Sequence, residues 1–213
     1  MQLKKKNKSL MKQFRCPKGN QGRIVAASMN CNHSSLTNWG LKEVEINPQF
    51  NILDVGCGGG RTVNKLARLS FQGKVFGIDH SPDMVDYSKE VNSDLISQNR
   101  VSIIEGSIEK TDFPENYFDL VTAVETYYFW PNLLNAFIEI NRILKPKGKL
   151  LLINEMIKDG VYEVENEKII AETSVHLVPL PEIEIMLKSI GFIKIKILTK
   201  KDSAWNIVIA QKQ

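Results

Sequence analysis

From residue 50 onward, short apolar runs alternate with stretches whose apolar positions recur at helical spacing. The strand-like runs are Asn51 to Val55, Lys74 to Ile78, Val101 to Glu105, Tyr117 to Val124 and Gly148 to Asn154. Between them lie helical patterns at Arg61 to Ser70, Pro82 to Ser97 and Asn132 to Leu144. Such alternation predicts βαβ units wound into a parallel sheet with helices on both faces. Ser81-Pro82 places a capping hydroxyl before a proline at the first helical position, and Asp83 and Asp86 follow where the helix dipole favours acids. Leu144-Lys-Pro-Lys-Gly148 stops a later helix with basic residues, proline and glycine.

The C-terminal third breaks this alternation. Glu182 to Ser189 reads as a helix ended by Gly191, Phe192 to Leu198 alternates strictly, and Ala204 to Ala210 is a further β-rich run. Two strands joined only by Thr199 to Ser203 must pair antiparallel, because a parallel return needs a crossover. Residues 1 to 46 stand outside the pattern, with Ser34 or Ser35 able to cap a helix running to about Val44. Residues 156 to 180 read as a connecting insertion with a short helix at Val161 to Glu172. Segments of this kind beside the carboxyl ends of parallel strands commonly build the substrate side of a site. The expected organisation is thus a basic N-terminal segment, 1 to 46, acting as lid or substrate side, and one α/β domain, 47 to 213.

Composition adds limits. The 213 residues, 43% hydrophobic and 24% charged, suit one globular domain. The longest apolar runs, such as Leu150 to Ile153, fall far short of the roughly 20 residues of a membrane span. The lysine-rich start has no apolar signal core after it, so the expectation is a cytoplasmic protein. Cys16, Cys31 and Cys57 are odd in number and widely spaced, which is neither a disulfide framework nor, with His33, a metal-ligand spacing. No metal is expected. Residues 1 to 42 carry nine Lys and Arg and no acid, whereas the remainder carries nineteen against twenty-four Asp and Glu. A basic arm ahead of an acidic body can attract an anionic partner or nucleic acid, and a solvated N-terminus explains it equally.

The candidate chemistry sits in Asn51 to Arg61, NILDVGCGGGR. A phosphate-cradling loop needs a glycine-lysine pair followed by Ser or Thr, which is missing. A dinucleotide fingerprint fails because Arg61 stands at the third glycine position counted from Gly56, and Val63 at that counted from Gly58. What remains is Asp54, Gly56, Gly58 and Gly60 at alternate positions. Here the chain resembles the first motif of class I S-adenosylmethionine-dependent methyltransferases. The resemblance extends over about residues 50 to 156 and implies a doubly wound, Rossmann-like, mostly parallel seven-stranded sheet of order 3-2-1-4-5-7-6 with the C-terminal antiparallel hairpin. It also implies S-adenosylmethionine as cofactor and S-adenosylhomocysteine as product.

Under that resemblance, glycines let the backbone approach the ligand where a Cβ would obstruct it. Asp54 faces the ligand's cationic amino group, and Cys57 is a small filler in the turn. Asp79, in GIDHSPDMV, would accept both ribose hydroxyls, with His80 beside it and Met84 covering the adenine. Gly106, Ser107 and Ile108 match the adenine-recognition segment, with Ser107 where the family has an aspartate and the Ile108 backbone N–H free to serve the ring. Val124 and Glu125 close the strand that faces the sulfonium. Glu125, Tyr127 and Tyr128 are placed to meet the acceptor, and Phe129 stands with Tyr128 where many relatives carry polar groups. His33, Glu125, Tyr128 and His176 are the candidate bases, of which His33, Glu125 and Tyr128 are taken as the catalytic set. The acceptor is expected to be a small molecule, since the tetrapeptide of RNA-base methylases, Asn or Asp, two prolines and an aromatic, is missing. A non-catalytic S-adenosylmethionine-binding module and an RNA or protein methyltransferase remain the alternatives, with a monomer or homodimer in either case.

Overall fold

A computed structural model describes residues 33–158, 160–162 and 175–213, together with 19, 22–24 and 170. The strands are β1 (Ile52–Val55), β2 (Val75–Asp79), β3 (Val101–Glu105), β4 (Phe118–Val124), β5 (Leu144–Asn154), β6 (Phe192–Thr199) and β7 (Asn206–Lys212). They form a single sheet of order β3-β2-β1-β4-β5-β7-β6. The pairs from β3 to β5 are parallel, whereas β7 runs antiparallel to both β5 and β6. The expected order and C-terminal hairpin are both present.

The helices are α1 (Ser34–Leu41), α2 (Arg61–Leu69), α3 (Pro82–Val91), α4 (Ser93–Ser97), α5 (Leu133–Ile143) and α6 (Leu180–Ser189), with a 3-10 turn at Tyr127–Phe129. They bury two apolar layers, one on each face of the sheet. One gathers Leu36, Val63, Leu66 and Val85 over β1, β2 and β5; the other gathers Phe137, Ile140, Ile183 and Leu187 over β4, β5 and β7. The central strands therefore read as continuous apolar runs, as strands covered on both faces must.

Four local expectations are corrected. The pattern over Pro82 to Ser97 predicts one helix, yet the chain breaks at Asn92 (φ −110°, ψ 15°). Its buried amide donates to Gly60 O at 3.0 Å and Ser88 O at 2.9 Å, so hydrogen bonding to the glycine loop overrides helical continuity. Ser81 does not cap α3 through its hydroxyl; its backbone N–H bonds Asp79 Oδ1 at 2.9 Å instead. The turn at Leu144 to Gly148 belongs to β5, which starts directly after α5 with an irregular register against β4. Helix α1 stops at Leu41, short of Val44. The short helix expected over Val161 to Glu172 falls mostly outside the described residues, as do Cys16 and Cys31.

Candidate active site

A cavity of about 360 Å³ opens across the carboxyl ends of the parallel strands. Its walls come from the segment after β3 (Gly106, Ser107, Ile108), the end of β2 and the residue after it (Asp79, His80), the end of β1 and its loop (Asp54 to Gly59), the end of β4 and its loop (Val124, Glu125, Thr126), α2 (Arg61, Thr62, Lys65), and α1 with the residue before it (His33, Ser34, Thr37). Ligand sites at this edge are the rule for open parallel sheets.

The loop after β1 is shaped by its glycines. Gly56, Gly58 and Gly60 all take φ between 49° and 76°, the left-handed region. A Cβ on Gly56 would fall 2.2 Å from Thr126 Oγ1, and one on Gly60 would fall 2.3 Å from Ser88 Oγ. Gly58 differs: a Cβ there would meet no side chain and would fill cavity space instead. Bare backbone facing an open cradle is what close approach of a ribose and an amino-acid moiety requires, so the site fits S-adenosylmethionine. The loop is fastened from below by Asp79, whose Oδ2 accepts from Gly58 N at 2.8 Å while Oδ1 accepts from Ser81 N. A carboxylate has about four acceptor positions, so two remain for a ribose diol.

Asp54 is buried at the end of β1 and accepts from Thr122 Oγ1 at 2.7 Å. Burial pushes its carboxyl up to about 7, with Asp79 adding to the rise and the Thr122 bond opposing it. Cys57 packs under Gly77 with Sγ 3.9 Å from Ser88 Oγ, and burial drives its thiol up, so it fills space. Met84 is 1% exposed and reaches the cavity wall. Ser107 Oγ accepts from Glu109 N at 3.3 Å, a turn-forming role that the family's aspartate position has here. Of the residues expected to bind cofactor, only Gly60 does not line the cavity. It caps α2, its carbonyl taking Asn64 N at 3.0 Å and the Asn92 amide.

The expected catalytic set converges from distant parts of the chain. Glu125 follows β4 with φ 58°, an unusual conformation for a residue with a Cβ, at a cost of about 1–2 kcal/mol. The fold holds it there: Glu125 N donates to Ile153 O at 2.9 Å, Tyr128 Oη donates to its Oε2 at 2.6 Å, and Glu155 N donates to its Oε1. Burial pushes the Glu125 carboxyl up to about 7; the Glu155 charge adds to this, while His33 and the two donors oppose it. His33 Nε2 lies 3.4 Å from Glu155 Oε1. Burial would lower the imidazole, but the bond to Glu155 and both glutamate charges outweigh it and raise the pKa. Tyr128 lies behind Glu125, 3% exposed and outside the cavity lining, so it orients the carboxylate. Burial and the Glu125 charge raise its phenol far from deprotonation.

Two corrections follow. His176 is exposed and does not reach the cavity; its backbone N–H bonds Tyr128 O at 2.9 Å and braces that turn. Glu155, which directly follows β5 and donates its N–H to Glu125, is a member of the cluster that no motif signals. Its only sequence mark is its place directly after the Asn154 that ends β5. No metal is expected, yet among the described residues His33, Glu125 and Glu155 bring one ligating atom each within 4.8 Å of the others.

Comparison with known proteins agrees with this geometry. Residues 53–152 match the family model described as methyltransferase domain. That stretch of the chain carries a methyltransferase domain. It is 29% identical over 168 residues to cycloartenol-C-24-methyltransferase of Arabidopsis thaliana, covering 76% of this chain and 49% of that protein. It is 28% identical over 126 residues to the uncharacterised methyltransferase YdaC of Bacillus subtilis (strain 168), covering 59% of this chain and 67% of that one. Among solved structures it superposes on phosphoethanolamine N-methyltransferase 2 of Haemonchus contortus with a TM-score of 0.77 at 18% identity, over 91% of this chain and 58% of that one. The chain spans about half the length, or less, of the sterol methyltransferases it matches. Among the described residues no helix is long and apolar enough to cross a membrane.

Proposed function

We propose that this chain transfers the methyl group of S-adenosylmethionine to a small-molecule acceptor, with Glu125 as the group that receives the acceptor's proton. The observation that carries this reading is the junction of two constructions in one cavity: a glycine cradle over Asp79, and a buried carboxylate aimed at its open end by Tyr128 and Glu155. When bound, S-adenosylmethionine supplies an electrophilic methyl group on a sulfonium. The chain's residues do the rest. Asp79 holds the ribose, Gly58 admits the ligand to the backbone, and Asp54 faces the ammonium of its methionine part. Glu125, with its carboxyl near neutrality, can exist as a base at working pH and so matches the requirement for general catalysis. Alignment of two reactants in one cavity supplies about 7–11 kcal/mol of barrier lowering by itself.

The segment before α1 forms the acceptor side of this reading. His33, Ser34 and Thr37 line the cavity, and two residues ahead of them rest on α3: Arg23 forms paired 2.8 Å bonds to Glu90, and Gly19 N donates to Asp83 Oδ2 at 3.2 Å. Deleting residues 1 to 32 is expected to lower acceptor turnover more than S-adenosylhomocysteine affinity; equal loss of both removes the lid role. A cytoplasmic location belongs to the same proposal, supported by the free, buried Cys57 thiol. The decisive experiment is incubation with isotopically labelled S-adenosylmethionine and a metabolite extract, read by mass spectrometry. A labelled small molecule is expected. Label confined to RNA or protein, or cofactor binding without any transfer, refutes the reading.

A further inference from the structure

The strand order sets the direction of the cavity. Ser107 follows β3 and Asp79 ends β2, whereas Glu125 and Glu155 follow β4 and β5, so the adenosine side and the acceptor side lie at opposite ends. Two carboxylates and one imidazole meet at the acceptor end with ligating atoms within 4.8 Å. Glu125 is 8% exposed, and it faces His33, Glu155, Tyr127 and Tyr128. With Glu125 and Glu155 both ionised, the form that proton uptake from an acceptor requires, the corner is one positive charge short even when His33 is protonated. Arg61 and Lys65, the long cations that line the cavity, belong to α2 and not to the loops after β4 and β5. Phe129 and Trp130 line the same cavity as Glu125, and their ring faces attract cations.

Building on the methyltransferase reading, we propose that the acceptor is an amine, bound as its ammonium cation between Glu125, Glu155 and His33 against the aromatic wall of Phe129 and Trp130. A divalent metal would use the three ligands but leave the rings without a role. An ammonium uses both. Its arrival favours the ionised form of Glu125, which is the form needed to take a proton. The ammonium then gives one proton to the Glu125 carboxylate. The freed nitrogen lone pair forms the new N–C bond as the C–S bond breaks and its electron pair stays on sulfur. The methylated product leaves as a cation, and the proton departs past Glu155, whose side chain is 44% exposed.

The test separates this inference from the reading beneath it. The full chain is incubated with methyl-labelled S-adenosylmethionine and a metabolite extract split by cation exchange. Label on nitrogen in the amine fraction is expected, with product lowered at least about tenfold in both Glu125→Gln and Glu155→Gln. Label on oxygen, carbon or sulfur overturns the amine inference and leaves the methyltransferase reading standing. Failure to bind S-adenosylhomocysteine by calorimetry removes both. Independently of turnover, ethylammonium chloride is titrated into the S-adenosylhomocysteine complex while the carboxyl carbons of the glutamates are followed by NMR. Glu125 is expected to respond to ethylammonium and not to 1-propanol, and the response to vanish in Glu155→Gln. No response, or an equal response to 1-propanol, overturns the inference. So does Mn2+ that broadens His33 at sub-stoichiometric levels together with turnover that chelators abolish, since the corner is then a metal site.

Discussion

The two ends of the cavity are held by different means. At the cofactor end, the ligand surface is largely backbone, bent by Gly56, Gly58 and Gly60 and pinned by one carboxylate at the end of the neighbouring strand. At the acceptor end, the surface is side chain, gathered from residue 33, from the loop after β4 and from the end of β5. Backbone contacts tolerate change around them as long as the turn survives. A side-chain cluster depends on every contributor, because removing His33 or Glu155 changes the charge that the buried Glu125 carboxyl faces. On the proposed reading, the cofactor end stays constant while the acceptor end sets what is methylated.

The sharpest way to break this division is Glu125→Gln. Turnover is expected to fall by about 10²–10⁴, with a much smaller change in S-adenosylhomocysteine affinity measured by calorimetry. Comparable losses in both would show that the acceptor end is not separate. Next in size, Gly60→Ala forces a Cβ into Ser88 and Asn92 at a left-handed residue and is expected to destabilise the fold by about 2–4 kcal/mol, read as a lowered Tm. Asp79→Ala removes the acceptor for two backbone donors and is expected to weaken S-adenosylhomocysteine by about 10- to 100-fold while the pH dependence of turnover stays put.

The smallest effect concerns proton linkage. Asp54 and Glu125 have folded pKa values raised to about 7, so folding takes up protons between their unfolded values near 4 and neutrality. Their contribution to stability is fully present below about pH 4 and is lost as pH rises through 7. Glu125→Gln is expected to flatten part of that decline, measured by denaturant unfolding at several pH values. An unchanged slope would mean that the carboxyl is ionised at little cost.

The same division decides what the sequence discloses. Sheet order, the glycine loop and Asp79 are legible because each depends on residues close in sequence: a strand, its turn and the next helix. Asn92 is not legible, since its amide bond to the glycine loop goes to Gly60, 32 residues away. Glu155 is hidden for the same reason: its contacts to Glu125 and His33 exist only once β4 and β5 pair and α1 packs over them. Tyr128 stands at the right place but works from behind Glu125, a distinction that spacing does not carry.

One contact crosses the boundary between the two ends. Gly56 lies so close to Thr126 that no Cβ fits between them, and Thr126 Oγ1 accepts from Trp130 Nε1 at 3.3 Å. Any adjustment of the glycine loop on loading is thus relayed to an indole at the acceptor wall. Trp39 and Trp205 pack against one another at a tilt, ring centroids 6.1 Å apart, and do not line the cavity. The protein is consequently expected to carry its own optical gauge: a change in Trp130 emission on adding S-adenosylmethionine, lost in Trp130→Phe, is the outcome that checks this relay.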